Sequence, residues 1–266
     1  MRHAWVIAAL VFGLSVSALA TPTTLTVNPA QSSVNMQLCM TFGTTRCDDD
    51  TSPATGTVVV DLNCLTNPTA LTIRDFDLAL SNNLVFSLNW GFPTGTFNAT
   101  ASNTALHYST PETPQPPTPL TAGAFTASGI PVDATGSLQY STTLLVCAAF
   151  SGAGQPCSAT LDMSTFVLNP ITLTGNVVVT GRNIALTANV NVTGPIDPAN
   201  PSLGTLTMTG TLRANGTVPL PSLSNFIGAL MGTVTAPDLV CESDINADGA
   251  TNGRDIQAYI RALLGP

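Results

Sequence analysis

Apolar and polar positions alternate in short runs along most of this chain, the spacing that turns one face of a strand inward and the other toward water. Between Thr21 and about Thr235, runs such as TLTV, VNMQLCM, GTVVVDL, NLVFSLNW, SLQYSTTLLVC, ATLDM and TLTMTGTL are rich in β-branched and aromatic residues. Gly, Pro and Asn punctuate them at intervals of about 8 to 12 residues, as in all-β domains. GNVVVTGRNIALTANVNVTG, from Gly175 to Gly194, reads as two strands around the turn Thr180-Gly181-Arg182-Asn183. In LTIRDFDLAL, from Leu71 to Leu80, the apolar set changes face partway, with Leu71 and Ile73 followed by Phe76. No helical period precedes Ser222. The pattern predicts an all-β body over residues 21–235, either a β-sandwich or a curled barrel.

The period then changes. Leu223 to Met231 predicts a short helix, with a linker over 233–239. Ile256, Tyr259, Ile260 and Leu263 recur at i, i+3, i+4 and i+7, which makes one apolar face on a helix that Asp255 starts and Gly265-Pro266 stops. A helix of about ten residues does not persist alone in water, so this face needs a surface to lie against.

TPETPQPPTP, from Thr110 to Pro119, cannot donate a full ladder and reads as an extended proline-rich loop at 110–119. It separates two parts of the body that each carry a close Cys pair in a similar setting, a hint of weak internal duplication. Both parts are short for independent sandwiches, and a single body fits the length better. At the N-terminus, residues 1–20 have a basic start, an apolar run from Ala4 to Val16 and the small-residue site Ala18-Leu19-Ala20, which predicts a signal peptide cleaved near Ala20. That run is too short for a membrane span. The expected location is secreted or cell-surface.

The composition narrows the partners. Of 266 residues, 15 are acidic and 7 basic, none of them lysine, and the net charge is −8. With no basic cluster to neutralise phosphates, nucleic acid is excluded as a partner and an anionic membrane surface is a poor one. Six cysteines in an exported chain read as disulfides. Cys39 and Cys47 flank MTFGTTR, and Cys147 and Cys157 flank AAFSGAGQP, so two local pairs are expected, each worth about 2 to 3 kcal/mol on the chain-entropy model. Cys64 and Cys241 either tie the body to the start of the C-terminal segment or stay free.

Few catalytic schemes have their parts. His107 is the one histidine beyond residue 20, so a histidine zinc site is unavailable and a Ser-His-Asp triad would rest on that residue alone. No phosphate loop, dinucleotide fingerprint or GxSxG motif is present. Asp75 and Asp77 stand two apart on a strand, hence on one face, where they read either as an acid and base pair or as a solvent-facing stripe. Asp48, Asp49 and Asp50 read as a solvated charged turn or a weak cation site. Phe86, Trp90, Phe92 and Phe97 lie close in sequence, as a carbohydrate platform or as core. Asn98, Asn191 and Asn215 stand in N-x-T sequons. The balance favours a non-catalytic protein.

The stretch DINADGATNGRD is the most specific signal. Counted from Asp244, positions 1, 3, 5, 9 and 12 are Asp244, Asn246, Asp248, Asn252 and Asp255, and position 7 offers the carbonyl of Ala250. Alternate oxygens around a twelve-residue loop are what Ca²⁺ requires, with Gly249 at the sharp turn of position 6. Position 12 is Asp where an EF-hand has Glu. Asp at the last position followed by an apolar helix resembles a type I dockerin repeat, the calcium module that docks secreted enzymes and surface proteins onto cohesins. The resemblance covers about the last 25 residues and implies Ca²⁺ at these six positions, a dockerin-like module over 236–266, and a cohesin-like or cell-surface protein as partner. Dockerins carry two such repeats. Upstream, SNFIGALMG echoes QAYIRALLG, but Thr211, Arg213, Asn215 and Pro219 stand where ligands belong, so this is a chance echo or a dead repeat. The opening TLTVNPAQSSVNMQL is faintly similar to the start of YceI-like lipid-binding barrels. The expected function is structural or adhesive, with polysaccharide binding or degradation, or lipid binding in such a barrel, as alternatives.

Overall fold

Among the residues described by this computed structural model, which are 22–111, 113–165, 168–195 and 204–265, thirteen strands pair antiparallel into one continuous sheet. The expected signal peptide lies outside them. In chain order the strands are β1 (Thr23–Val27), β2 (Ser33–Phe42), β3 (Thr44–Leu62), β4 (Ala70–Leu80), β5 (Leu84–Gly91), β6 (Gly95–Tyr108), β7 (Thr118–Pro119), β8 (Ala124–Ile130), β9 (Val132–Thr142), β10 (Ser158–Asp162), β11 (Ile171–Thr180), β12 (Asn183–Pro195) and β13 (Gly204–Thr217). The main path runs β10-β9-β6-β4-β3-β1-β13-β12-β11-β8. The body is all-β, as the alternation predicts. Strands from both sides of the proline-rich loop join in one sheet, and the loop itself contributes only β7, which lies on β4 through Ala70 opposite Pro119.

The position between β3 and β13 is filled twice. β1 pairs Thr23–Thr26 with Val60–Thr57, while β2 pairs Ser33–Phe42 with the earlier part of β3, and both also pair with β13. Ser32 closes the gap between them, its Oγ accepting from Arg213 N at 2.9 Å. This explains the 19 residues of β3 and corrects the reading of Asp48–Asp50 as a turn. They belong to the strand. Ser87 N and Val85 N of β5 donate to Asp48 and Asp50 carboxylates at 2.7 and 2.8 Å, and Asn35 Nδ2 donates to Asp49 at 2.9 Å. The carboxylates satisfy donors on the β5 edge that β6 leaves unpaired.

The change of face in Leu71–Leu80 is a β-bulge. The register of β4 against β3 shifts between Val59 and Val60, so Leu71 and Ile73 point inward before it and Phe76 after it. Arg74, the extra residue, pairs through Nε with Asp61.

Two apolar clusters fill the body. One gathers Leu25, Val60, Leu71, Phe76, Ile130 and Ile184, and the other Met40, Leu84, Phe86, Leu88, Phe97 and Tyr140. Full burial of side chains of this size stabilises by roughly 1.5 to 3 kcal/mol each. The second cluster is capped by α1 (Leu144–Gly152), which overturns the expectation of no helix before Ser222. Its sequence, LLVCAAFSG, is apolar almost all round, so no amphipathic period marks it, and LLVC continues the alternation of SLQYSTT as if it were strand. Val146 and Phe150 face inward, with the Phe150 ring 5.8 Å from Phe97 and 5.4 Å from Tyr140. Burial raises the Tyr140 hydroxyl pKa, and that hydroxyl donates to Pro156 O at 3.0 Å.

All three disulfides are formed: Cys39–Cys47, Cys147–Cys157 and Cys64–Cys241. The first joins directly opposite residues of the β2–β3 hairpin, whereas the second joins α1 to the segment entering β10. Their settings differ, and the suggested internal duplication loses its support.

Candidate metal centre

After β13 the chain leaves the sheet through Val218–Pro221 and forms three short helices, α2 (Leu223–Leu230), α3 (Pro237–Glu242) and α4 (Asp255–Leu264). Ser222 caps α2 by accepting from Asn225 N at 3.2 Å, and Pro237 opens α3 at a position where no amide donor is required. Gly265, at φ +75°, ends α4. The segment between α3 and α4 holds five of the six candidate ligands, and the sixth, Asp255, is the first residue of α4.

Its two ends are tied by buried carboxylates. Asp255, with no exposed surface, accepts from Asn246 N at 3.0 Å on one oxygen and from Asn252 N at 2.8 Å on the other. Asp244, also buried, accepts from Asp248 N at 3.1 Å and from Gly249 N at 2.9 Å. Asp248 accepts from Ala250 N at 3.1 Å and from Asn246 Nδ2 at 3.1 Å, and Asn252 Nδ2 donates to Ala250 O at 2.7 Å. Asp244, Asn246, Asp248, Ala250, Asn252 and Asp255 thus form one hydrogen-bond net. The turn through it is sharp, with φ +57° at Ala247 and +89° at Gly249, where only glycine turns without strain.

The donor set is oxygen only, the chemistry of a hard cation rather than of zinc or copper. Each oxygen of Asp255 accepts one bond in the net and keeps a second lone pair. Among the described residues, no three or more His, Cys, Asp or Glu side chains are grouped closely enough to hold a metal by themselves. The loop's oxygens would have to include the amides of Asn246 and Asn252 and the Ala250 carbonyl. One cation stands near, Arg254 Nη1 at 3.8 Å from Asp248.

The body reaches into this segment at three places that sequence reasoning missed or left open. Thr66 Oγ1, from the β3–β4 loop, donates to Asp244 at 2.9 Å. The Cys64–Cys241 disulfide lies two residues before Thr66 and three before Asp244. Arg182, in the two-residue β11–β12 turn, donates to Val218 O at 3.0 Å, Glu242 O at 3.2 Å and Pro219 O. Burial lowers the pKa of that guanidinium, against the opposing influence of Glu242 and Tyr259. No local motif announces Thr66 or Arg182, because both act over more than 35 residues of sequence.

The echo between SNFIGALMG and QAYIRALLG aligns Phe226 with Tyr259, and these rings stack at 4.2 Å and 8°. Tyr259 also donates to Pro221 O at 2.9 Å. The predicted face of α4 therefore divides. Tyr259 turns inward, whereas Ile256, Ile260 and Leu263 remain 45 to 63% exposed, as do Leu223 and Ile227 at matching positions of α2.

The other candidates separate. Asp77 lies opposite His107, with Oδ1 and Nδ1 3.3 Å apart, and His107 Nε2 is 3.1 Å from Thr135 Oγ1. This series crosses β4, β6 and β9 without Asp75, on the face opposite a cavity lined by the neighbouring Leu78, Leu106 and Ala134. Phe86 is core, Trp90 is half-buried with Nε1 donating to Thr44 O at 2.8 Å, and Phe92 is 89% exposed. No described helix is long and apolar enough to cross a membrane.

No protein-family model and no curated protein matches the chain. A solved secretin, Salmonella InvG from the SPI-1 type III secretion injectisome in the open gate state, aligns with 93% of this chain and 71% of its own at 12% identity, with a TM-score of 0.12 that carries no argument about fold.

Proposed function

We propose that this is an exported, non-catalytic β-protein of structural or adhesive character whose C-terminal segment takes up Ca²⁺ and docks to a protein partner of the cohesin-like or cell-surface kind. The observation that carries the reading is the burial of Asp244 and Asp255, the first and last ligand positions, in a single loop whose backbone amides they hold. Asp244, Asn246, Asp248, Asn252, Asp255 and the carbonyl of Ala250 are the groups that would hold the ion. A bound dication would offset the negative charge that Asp244, Asp248 and Asp255 bring to one twelve-residue loop. The matched exposed residues of α2 and α4 support docking, since two helices with unpartnered apolar side chains at equivalent positions offer a surface a partner can cover. Three disulfides accord with an oxidising compartment.

Calorimetry of Ca²⁺ against the intact protein and against an Asp244→Ala, Asp248→Ala variant tests the reading. Heat of binding at one site is expected from the first and none from the second, and equal heats from both would sink it.

A further inference from the structure

The body encloses a cavity of about 270 Å³ that no motif announced. Val34 and Met36 of β2, Met208 of β13, Leu78 and Leu80 of β4 and Leu106 of β6 line it. Leu80 and Met208 pack against both apolar clusters, so the cavity lies at their junction. Protein interiors pack as densely as organic crystals, with few voids larger than a water molecule, and a space of this size inside a β-body is a departure that calls for an occupant.

The chemistry of the lining says what that occupant is. Among the described residues no charged side chain lines the cavity, and the polar side chains at it are Thr104 and Asn169. Thr193 lies at the mouth, but its hydroxyl is 3.1 Å from that of Thr207 on the other face of the sheet. The Thr104 hydroxyl is turned to Met163 Sδ at 3.9 Å. Water needs two to four polar partners to be held, so this lining does not retain it. Met36, Met163 and Met208, half of the chain's six methionines, line the space, and flexible thioethers reshape around an apolar guest. Asn169 is exposed and stands at the rim. Its amide is neutral, and with no Lys or Arg among the described lining residues an anionic group would meet no counter-charge.

We propose that the body binds a single hydrocarbon chain with an uncharged polar end, the chain among Met36, Leu106 and Met208 and the end at Asn169. An apolar cavity of about 150 Å³ takes up benzene, which scales to a guest of roughly ten carbons here. This site shares no residue with the calcium loop and stands independently of the docking reading.

The test titrates 1-decanol into the full chain by calorimetry. One guest per chain is expected. Ala134, buried in the lining, offers a way to fill the space: Ala134→Phe should weaken decanol at least tenfold without lowering the melting temperature. If that variant does not fold, Val192→Phe, at a half-buried position of the same lining, should give the same loss with an unchanged circular dichroism spectrum. Decanoate at neutral pH should bind at least tenfold more weakly than decanol. No binding to the unmodified protein, or undiminished binding to a folded filled variant, overturns the site. Equal affinity for decanoate overturns the uncharged end, and co-sedimentation with phosphatidylcholine vesicles overturns a free chain in favour of a membrane lipid. Asp244→Ala should leave decanol binding unchanged, which keeps failure here distinct from failure of the calcium reading.

Discussion

The β-body and the C-terminal segment are ordered by different means. The body rests on two apolar clusters and a sheet in which nine of the thirteen described strands pair with at least two others, so many contacts share each strand's position. The C-terminal segment buries few large apolar side chains, chiefly Phe226 and Tyr259, and takes its shape from carboxylates holding amides and from attachments to the body. Redundant packing makes order unconditional, whereas order that hangs on a few polar atoms can be set by whatever neutralises them. A cation is expected to matter in the second region and not in the first.

The sharpest way to break this comparison is to cut the attachment. The Cys64–Cys241 bond spans 177 residues of sequence, and replacing both cysteines by alanine should lower stability by about 5 kcal/mol on the chain-entropy model. The Cys39–Cys47 bond spans 8 residues and should cost about half as much by the same model. Urea midpoints of the two double variants check this, and equal losses would show that the long-range bond constrains no more of the chain than the hairpin one.

Asp255→Ala leaves two loop amides without their acceptor and should cost about 2 kcal/mol, confined to the C-terminal segment. Hydrogen exchange would show faster amides at Asn246 and Asn252 with β-ladder amides unchanged. Loss of protection across the sheet would instead make the two regions one cooperative unit.

A third outcome concerns Asp61, at the seam between the regions. Burial raises its pKa above the ordinary 3.8, Arg74 pulls it back through a hydrogen bond and its charge, and the nearby charges of Glu242 and Asp238 raise it further. Its Oδ1 is buried without a hydrogen-bond partner. The folded state holds the proton more tightly than the unfolded one, so the stability this gives is complete below 3.8 and is lost as pH rises through the raised value. Stability measured across that acid range should fall with rising pH at this site, and Asp61→Asn should flatten that part of the profile.

The smallest effect is expected at Ile260, whose side chain is 48% exposed on α4. Ile260→Ala should change stability by less than about 0.5 kcal/mol, because the face it belongs to is not used to hold the fold. A larger loss in a thermal melt would mean that the segment spends this face on its own packing and has none left for a partner.

Alternation made the body legible wherever strands are rich in Val, Ile, Leu and Thr, as in β11 and β12, whose Gly181-Arg182 turn falls where the sequence predicts it. It failed for β6 and β8, where the small Gly95, Ala99, Ala101 and Ala127 occupy inward positions and weaken the apolar signal. It failed for α1 because a helix apolar on every side has no period. The ligand positions of the loop were readable because the spacing is local. Thr66, Arg182 and the cavity were not, because each depends on segments far apart in sequence meeting across the fold.

A consequence of the Cys64–Cys241 bond concerns the order in which this protein matures. During synthesis Cys64 leaves the ribosome 177 residues ahead of its mate, after Cys39 and Cys47 have already emerged. Until Cys147 and Cys157 follow, three thiols are available to one another, and the hairpin register that sets Cys39 directly against Cys47 is what keeps Cys64 unclaimed. The last covalent step therefore waits for strand pairing begun near the other end of the molecule, and an early exchange between Cys47 and Cys64 would strand Cys241 as a lone thiol.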